Sequence, residues 1–157
     1  MKKLRFAIFG NTYQAKKSAC IEQLLGILLE RGASLLIDRQ FYEYLTDKLG
    51  ILVTPEALIE GNDFHADFVI SMGGDGTFLE AARRVGDKGM PILGINMGRL
   101  GFLSDYQAED IASAIDHIYN DTYRIEERTV LMVEKDGNDL QGYPYALNEV
   151  AVLKHDI

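Results

Sequence analysis

Asp67-Phe68-Val69-Ile70-Ser71-Met72 runs straight into Gly73-Gly74-Asp75-Gly76-Thr77 and then into Phe78-Leu79-Glu80-Ala81-Ala82. The first block is an apolar run of buried-strand type, and the last is a good helix start. A strand leading through glycines into a helix is the local geometry for holding phosphate. Glycines let the backbone come close, and free N–H groups at the turn and the helix N-terminus point at the anion. An aspartate inside such a turn is unexpected for anion binding alone, because its charge repels phosphate. It makes sense if the carboxylate meets a hydroxyl about to attack that phosphate. Gly, Asp and Thr are also common turn residues, so these five residues taken alone fit a plain tight turn.

Working outward, Leu4 to Phe9 reads as a strand ending at Gly10-Asn11-Thr12, with Asn11 or Thr12 placed to cap the next helix. That helix carries Ala15, Ile21, Leu24, Leu25 and Leu28 and stops at Gly32; Gly26 within it predicts close packing. Ser34 to Asp38 is a second strand, and Phe41, Tyr44, Leu45 and Leu49 mark a helical face ending at Gly50. Leu52 to His65 reads as loop around a short helix. Beyond the glycine turn, Phe78, Leu79, Ala82 and Val85 give a helix closed by Gly86 and Gly89. Pro91 to Ile95 is a buried strand with proline at its start, where a missing N–H is tolerated. Asn96 to Ser104 is a second glycine-bearing loop. Ile111, Ile115, Ile118 and Tyr119 form a last helical stripe, with Glu109 and Asp110 in its first turn. Strands alternating with helices predict a mainly parallel α/β sheet covered on both faces.

The period then changes. Thr129 to Glu134 and Tyr143 to Lys154 are strand-like, joined by the turn cluster Asp136 to Asp139, which predicts an antiparallel region. The boundary is expected near Asn120 to Arg124, giving an α/β unit over 1–122 and the start of a β domain over 123–157. Two strands cannot bury their own apolar face, so either this region packs on the first domain or the chain is the front part of a longer protein, and the second is the expectation.

The 157 residues suffice for a domain with a proper core, at 47% hydrophobic and 25% charged. A formal net charge of -8 argues against general affinity for nucleic acid or an anionic membrane. Any phosphate-rich ligand must therefore be held locally. The single cysteine, Cys20, forms no internal disulfide and reads as a small buried hydrophobe. With no signal-peptide pattern and no bilayer-spanning apolar run, the expectation is a soluble, cytoplasmic protein. His65, His117 and His155 lack metal-ligand spacing, so no residue is assigned to a metal. Neither a Walker lysine loop nor a Gly-x-Gly-x-x-Gly fingerprint is present.

Three stretches in order carry a resemblance: Gly73 to Thr77, then Pro91-Ile92-Leu93-Gly94-Ile95-Asn96-Met97-Gly98-Arg99-Leu100-Gly101-Phe102-Leu103, then Ala146-Leu147-Asn148-Glu149-Val150. Together they closely resemble the NAD kinase family. The glycine–aspartate stretch alone also resembles diacylglycerol and sphingosine kinases and 6-phosphofructokinases. The second loop discriminates, since the lipid kinases tend to carry a Pro-Leu-Gly-Thr-Gly-Asn type of loop there. The resemblance implies a phosphofructokinase-like α/β domain followed by an all-β domain, with the site between them. It implies phosphoryl transfer from ATP or polyphosphate to the 2′-hydroxyl of the adenosine ribose of NAD, giving NADP. It also implies a divalent metal, of Mg²⁺ type, arriving with the phosphate donor, and a homo-oligomer.

Carried onto this chain, the resemblance makes Asp75 the proton acceptor. Gly74, Gly76 and Thr77 are the loop around it, Asn148 and Glu149 hold the dinucleotide, and Leu100 and Phe102 lie beside the adenosine. The chemistry agrees with those roles. A ribose hydroxyl is a weak nucleophile that a carboxylate within reach can orient and deprotonate. Asn148 offers a donor and an acceptor, Glu149 accepts from hydroxyls, and Phe102 offers a flat apolar face. Plainer alternatives stay open residue by residue: Asn148-Glu149 as a polar bulge, Phe102 as core, Arg99 as a solvated surface residue. Two other functions stay open as well: a lipid kinase of the same superfamily, and a module that binds nucleotide without catalysis.

Overall fold

A computed structural model describes residues 2–13, 18–98, 101–104, 106–139 and 144–153. Its centre is a six-stranded, all-parallel sheet in the order β3-β2-β1-β4-β5-β6. The strands are β1 (Arg5–Gly10), β2 (Ser34–Asp38), β3 (Ala57–Ile59), β4 (Phe68–Gly73), β5 (Ile92–Asn96) and β6 (Tyr106–Gln107). All six residues of β4 are buried, as expected of a central parallel strand with both faces covered.

The alternation of β1 shows how the two faces are used. Phe6 and Ile8 join Ile70 and a cluster that includes Ile21, Leu24 and Leu28 of α1 (Ser18–Glu30) and Ile111, Ile115 and Ile118 of α4 (Ile111–Tyr119). Ala7 and Phe9 point the other way, with Val69, onto Ala81 and Val85 of α3 (Asp75–Val85). Each fully buried Ile or Leu stabilises the fold by about 1.5–3 kcal/mol, so both faces are firmly fixed. Arg31 adds an ion pair with Asp116 between the α1 end and α4, and its guanidinium lies over the Tyr119 ring. Half-buried Cys20 packs against this first cluster.

The sheet confirms the α/β reading, with several local corrections. Residues 52–65 contain the parallel edge strand β3 rather than a short helix. Its Ile59 packs into the second cluster, and Glu56 N–H donates to Leu35 O at 2.7 Å to set the register. Gly26 lies on the exposed face of α1 with open space beside it, so nothing packs closely there. Asn11 closes a turn, its Oδ1 accepting from Tyr13 N–H at 2.8 Å; Ala15 lies outside the described residues. The second helix is short, α2 (Arg39–Glu43), and passes into a π-helical turn over Tyr44–Lys48 before Gly50 at φ +65°. The helix α3 starts at Asp75, inside the glycine turn. Its buried residues are Ala81, Arg84 and Val85, while Phe78, Leu79 and Ala82 are half-buried.

After Tyr119 the chain is mostly exposed. β7 (Leu131–Met132) pairs antiparallel with β10 (Tyr145–Ala146), and β8 (Glu134–Lys135) with β9 (Asn138–Asp139). Asp136 and Gly137, at φ +55° and +76°, make the tight turn between β8 and β9. The antiparallel region is therefore present, but the long strands expected over 129–134 and 143–154 are shorter. Val133 separates β7 from β8, and residues 148–153 extend no strand. Tyr143 and Lys154 lie outside the described residues.

Candidate active site

The strand order reverses between β1 and β4, so the loops leaving these two neighbours diverge and open a crevice at their carboxyl ends. The loop after β4 is the glycine–aspartate stretch. It has the Gly10–Tyr13 loop of β1 on one side and the loop after β5 on the other. Backbone bonds hold the three together: Asn11 N–H donates to Met72 O at 2.9 Å, and Met97 N–H to Gly73 O at 3.0 Å. Gly73 is required here, because a Cβ on it would overlap Thr77 and lie 3.1 Å from the Asn11 Cβ. Gly74 caps α3, its carbonyl accepting from Phe78 N–H at 3.1 Å.

Asp75 occupies the first turn of α3, where the helix dipole favours a negative charge. Its Oδ2 accepts from Phe102 N–H at 2.9 Å and its Oδ1 from Leu103 N–H at 3.1 Å. A carboxylate has about four acceptor sites, and among the described residues these two N–H donors take two of them. Gly101 presses against this carboxylate. A Cβ there would overlap Oδ1 and lie 2.6 Å from Cγ and 2.7 Å from Oδ2. Phe102 is 95% exposed, so its ring is not core.

On the β1 side of the glycine loop lies an open cleft of about 400 Å³ between the Gly10–Tyr13 lip and Gly76, Thr77, Glu80 and Arg84 of α3. A larger hollow of about 610 Å³ continues over Tyr44, Asp47 and Lys48 and shares Thr12, Tyr13 and Gln40 with it. Only the smaller one touches the glycine loop, so it is the candidate site.

The structure thus brings together Gly74, Asp75, Gly76, Thr77 and Phe102. Leu100 and Arg99 lie outside the described residues, as do Lys154 and His155. Asn148 and Glu149 are exposed just after β10, whose Tyr145 ring packs at Gly86, the far end of α3 from Asp75. Sequence reading missed Gly101, Arg84 and Asp38. The spacing of Gly98 and Gly101 was an available signal for the first. Arg84 and Asp38 meet only through the fold, 46 residues apart in sequence.

The profile described as the ATP-NAD kinase N-terminal domain matches residues 6–123. The chain belongs to the ATP-NAD kinase family. Among ATP-NAD kinase relatives, it is 52% identical over 153 residues to the NAD kinase of Bacteroides fragilis, covering 98% of this chain and 53% of that one. It is 38% identical over 156 residues to the NAD kinase of Porphyromonas gingivalis, covering 99% and 53%. The chain therefore spans about half the length of the curated relatives it matches. A crystal structure of yeast NADH kinase complexed with NADH is similar in fold, with a TM-score of 0.71 at 17% identity, over 94% of this chain and 48% of that one. Among the described residues of this family member, no three His, Cys, Asp or Glu side chains are grouped to hold a metal ion. No helix among these residues is long and apolar enough to cross a membrane.

Proposed function

We propose that this chain supplies the catalytic half of an NAD kinase, which moves a phosphoryl group from ATP or polyphosphate to the 2′-hydroxyl of the adenosine ribose of NAD. The observation that carries this reading is the Asp75 carboxylate, held by the Phe102 and Leu103 N–H groups beside an exposed aromatic ring. In this reading the donor's phosphates lie in the switch-point cleft against the N-terminus of α3, and the adenosine of NAD lies on the opposite, Phe102 side. The two substrates meet over the glycine loop, with the ribose 2′-hydroxyl and the terminal phosphate in direct contact. The ribose 2′-oxygen forms its bond to the terminal phosphorus as the bond to the leaving ADP, or shortened polyphosphate, breaks. Its proton passes to the Asp75 carboxylate. Transfer of this kind depends mainly on positioning and charge stabilisation, which the glycine-loop amides and the α3 dipole provide.

Asn148 and Glu149 take the dinucleotide in the same reading, with Leu100 beside the adenosine. The metal, of Mg²⁺ type, arrives with the donor phosphates. Residues 1–122 form the kinase unit and 123–157 begin an antiparallel domain that completes the cleft; the profile match over residues 6–123 supports that division. The complete protein works as a cytoplasmic homo-oligomer. The test offers the full-length protein NAD and diacylglycerol in parallel, with ATP and with polyphosphate as donors. NADP formation with untouched lipid is the expected result. Phosphorylated lipid, or no NADP with either donor, contradicts the reading.

A further inference from the structure

Among the described residues, Arg84 is the most buried cation near the cleft, at 9% exposure, and it lies on the same helix as Asp75 and Thr77. Three of its five N–H donors are committed. Nη1 donates to Asp38 Oδ1 at 3.0 Å, and Nη2 and Nε donate to Gly61 O at 2.8 and 3.2 Å. The guanidinium also lies over the Phe9 ring, 5.1 Å from its centroid. Asp38 uses its other oxygen to cap α2, Oδ2 accepting from Phe41 N–H at 3.3 Å. The Phe41 ring in turn fills the space beside Gly10, where any Cβ would overlap it. Gly10 begins the Gly10–Tyr13 lip of the cleft. An unbroken set of contacts therefore runs from α3 through Arg84, Asp38 and Phe41 to the lip facing Gly76 and Thr77.

We propose that Arg84 is a positioning residue: through Asp38 and Phe41 it sets the gap between the two lips of the switch-point cleft, and with it the affinity for the phosphoryl donor. This rests on the placement of the donor given under the proposed function. A planar fork suits the task. It bonds a carboxylate and a carbonyl at once in fixed geometry, which a lysine ammonium does not reproduce. The acceptor side of the glycine loop shares none of these contacts, so the effect is expected to be one-sided.

The test uses the full-length enzyme carrying Arg84→Gln, Arg84→Lys or Asp38→Asn, each assayed well below its own melting temperature with ATP and with polyphosphate. Arg84→Gln is expected to raise the donor KM by about tenfold or more, as small displacements at a reacting site do. The KM for NAD should stay within about twofold, and kcat should fall less than the donor KM rises. Arg84→Lys should recover only part of the loss, and Asp38→Asn should shift the donor KM in the same direction. Amide exchange provides a second readout: the Asn11 N–H, bonded to Met72 O, should exchange faster in the Arg84 variants. Folded variants with wild-type donor KM and unchanged Asn11 protection overturn the proposal. So does a loss that follows melting temperature alone and affects both substrates equally. The exchange measurement needs no turnover, so a wild-type protein that makes no NADP would sink the function while leaving the role of Arg84 open to refutation.

Discussion

Asp75 and Gly101 work as a pair at the residue scale. The carboxylate accepts from the Phe102 and Leu103 amides only because the chain passes it at Gly101 with no side chain in the way. In Gly101→Ala the new methyl must push the carboxylate away or lift the loop, and either change breaks both hydrogen bonds. The loop is partly exposed, so the melting temperature should move by only a few degrees. The kcat for NADP formation in the full-length enzyme should fall by about 10²-fold, the cost typical of a reacting group displaced by an ångström. Unchanged kcat in a folded variant would show that the carboxylate needs no such seat. Asp75 was legible in the sequence because an acid among glycines after a buried strand conflicts with plain anion binding. Gly101 was harder to single out: its partner sits 26 residues earlier, and only the fold brings them together. Phe102 stood between core and ligand contact until its 95% exposure removed the first.

At the scale of elements, the helices and strands with unbroken apolar periodicity were readable in advance. β2 matches its expected bounds, and the α1 and α4 stripes are the buried ones. Two of the misses share a cause, since each depends on a partner rather than on local pattern. β3 is a strand because β2 offers it an edge, and α3 turns Arg84 inward because Asp38 and Gly61 receive it. The α4 end carries a testable consequence of its own. The Tyr119 hydroxyl is buried without a hydrogen-bond partner among the described residues, and burial raises its pKa above 10.0, against the pull of Arg31. A folded-state pKa above the unfolded one means that the unfolded chain loses the proton first. The Tyr119 contribution to stability is therefore complete below pH 10.0 and is lost as pH climbs through the raised folded value. Tyr119→Phe should match or exceed wild-type stability at neutral pH, because it removes a buried unpaired hydroxyl. It should also lose less stability in alkaline solution. Thermal melts of both proteins on either side of that pH check the expectation, and parallel declines would contradict it.

For the molecule as a whole, the α/β sheet is self-sufficient in its core, whereas the region after Tyr119 is not. Ile125, Leu131 and Met132 face solvent, as do Val152 and Leu153 at 94% and 86% exposure. The relatives are about twice as long, and an antiparallel region this thin cannot cover its own apolar residues. Residues 1–157 alone should accordingly make little or no NADP and should tend to associate; a purified fragment with turnover near that of the full-length enzyme would contradict this. The proton-acceptor role proposed for Asp75 is tested most directly by Asp75→Asn in the full-length enzyme, with kcat for NADP formation and the dissociation constant for NAD measured on the folded variant. Asparagine keeps the size and the turn but cannot take the ribose proton. The expected result is a fall in kcat of about 10²–10⁴-fold with NAD affinity changed far less. Near-normal turnover would contradict it, because an aspartate that only shapes a turn is replaced by asparagine almost silently.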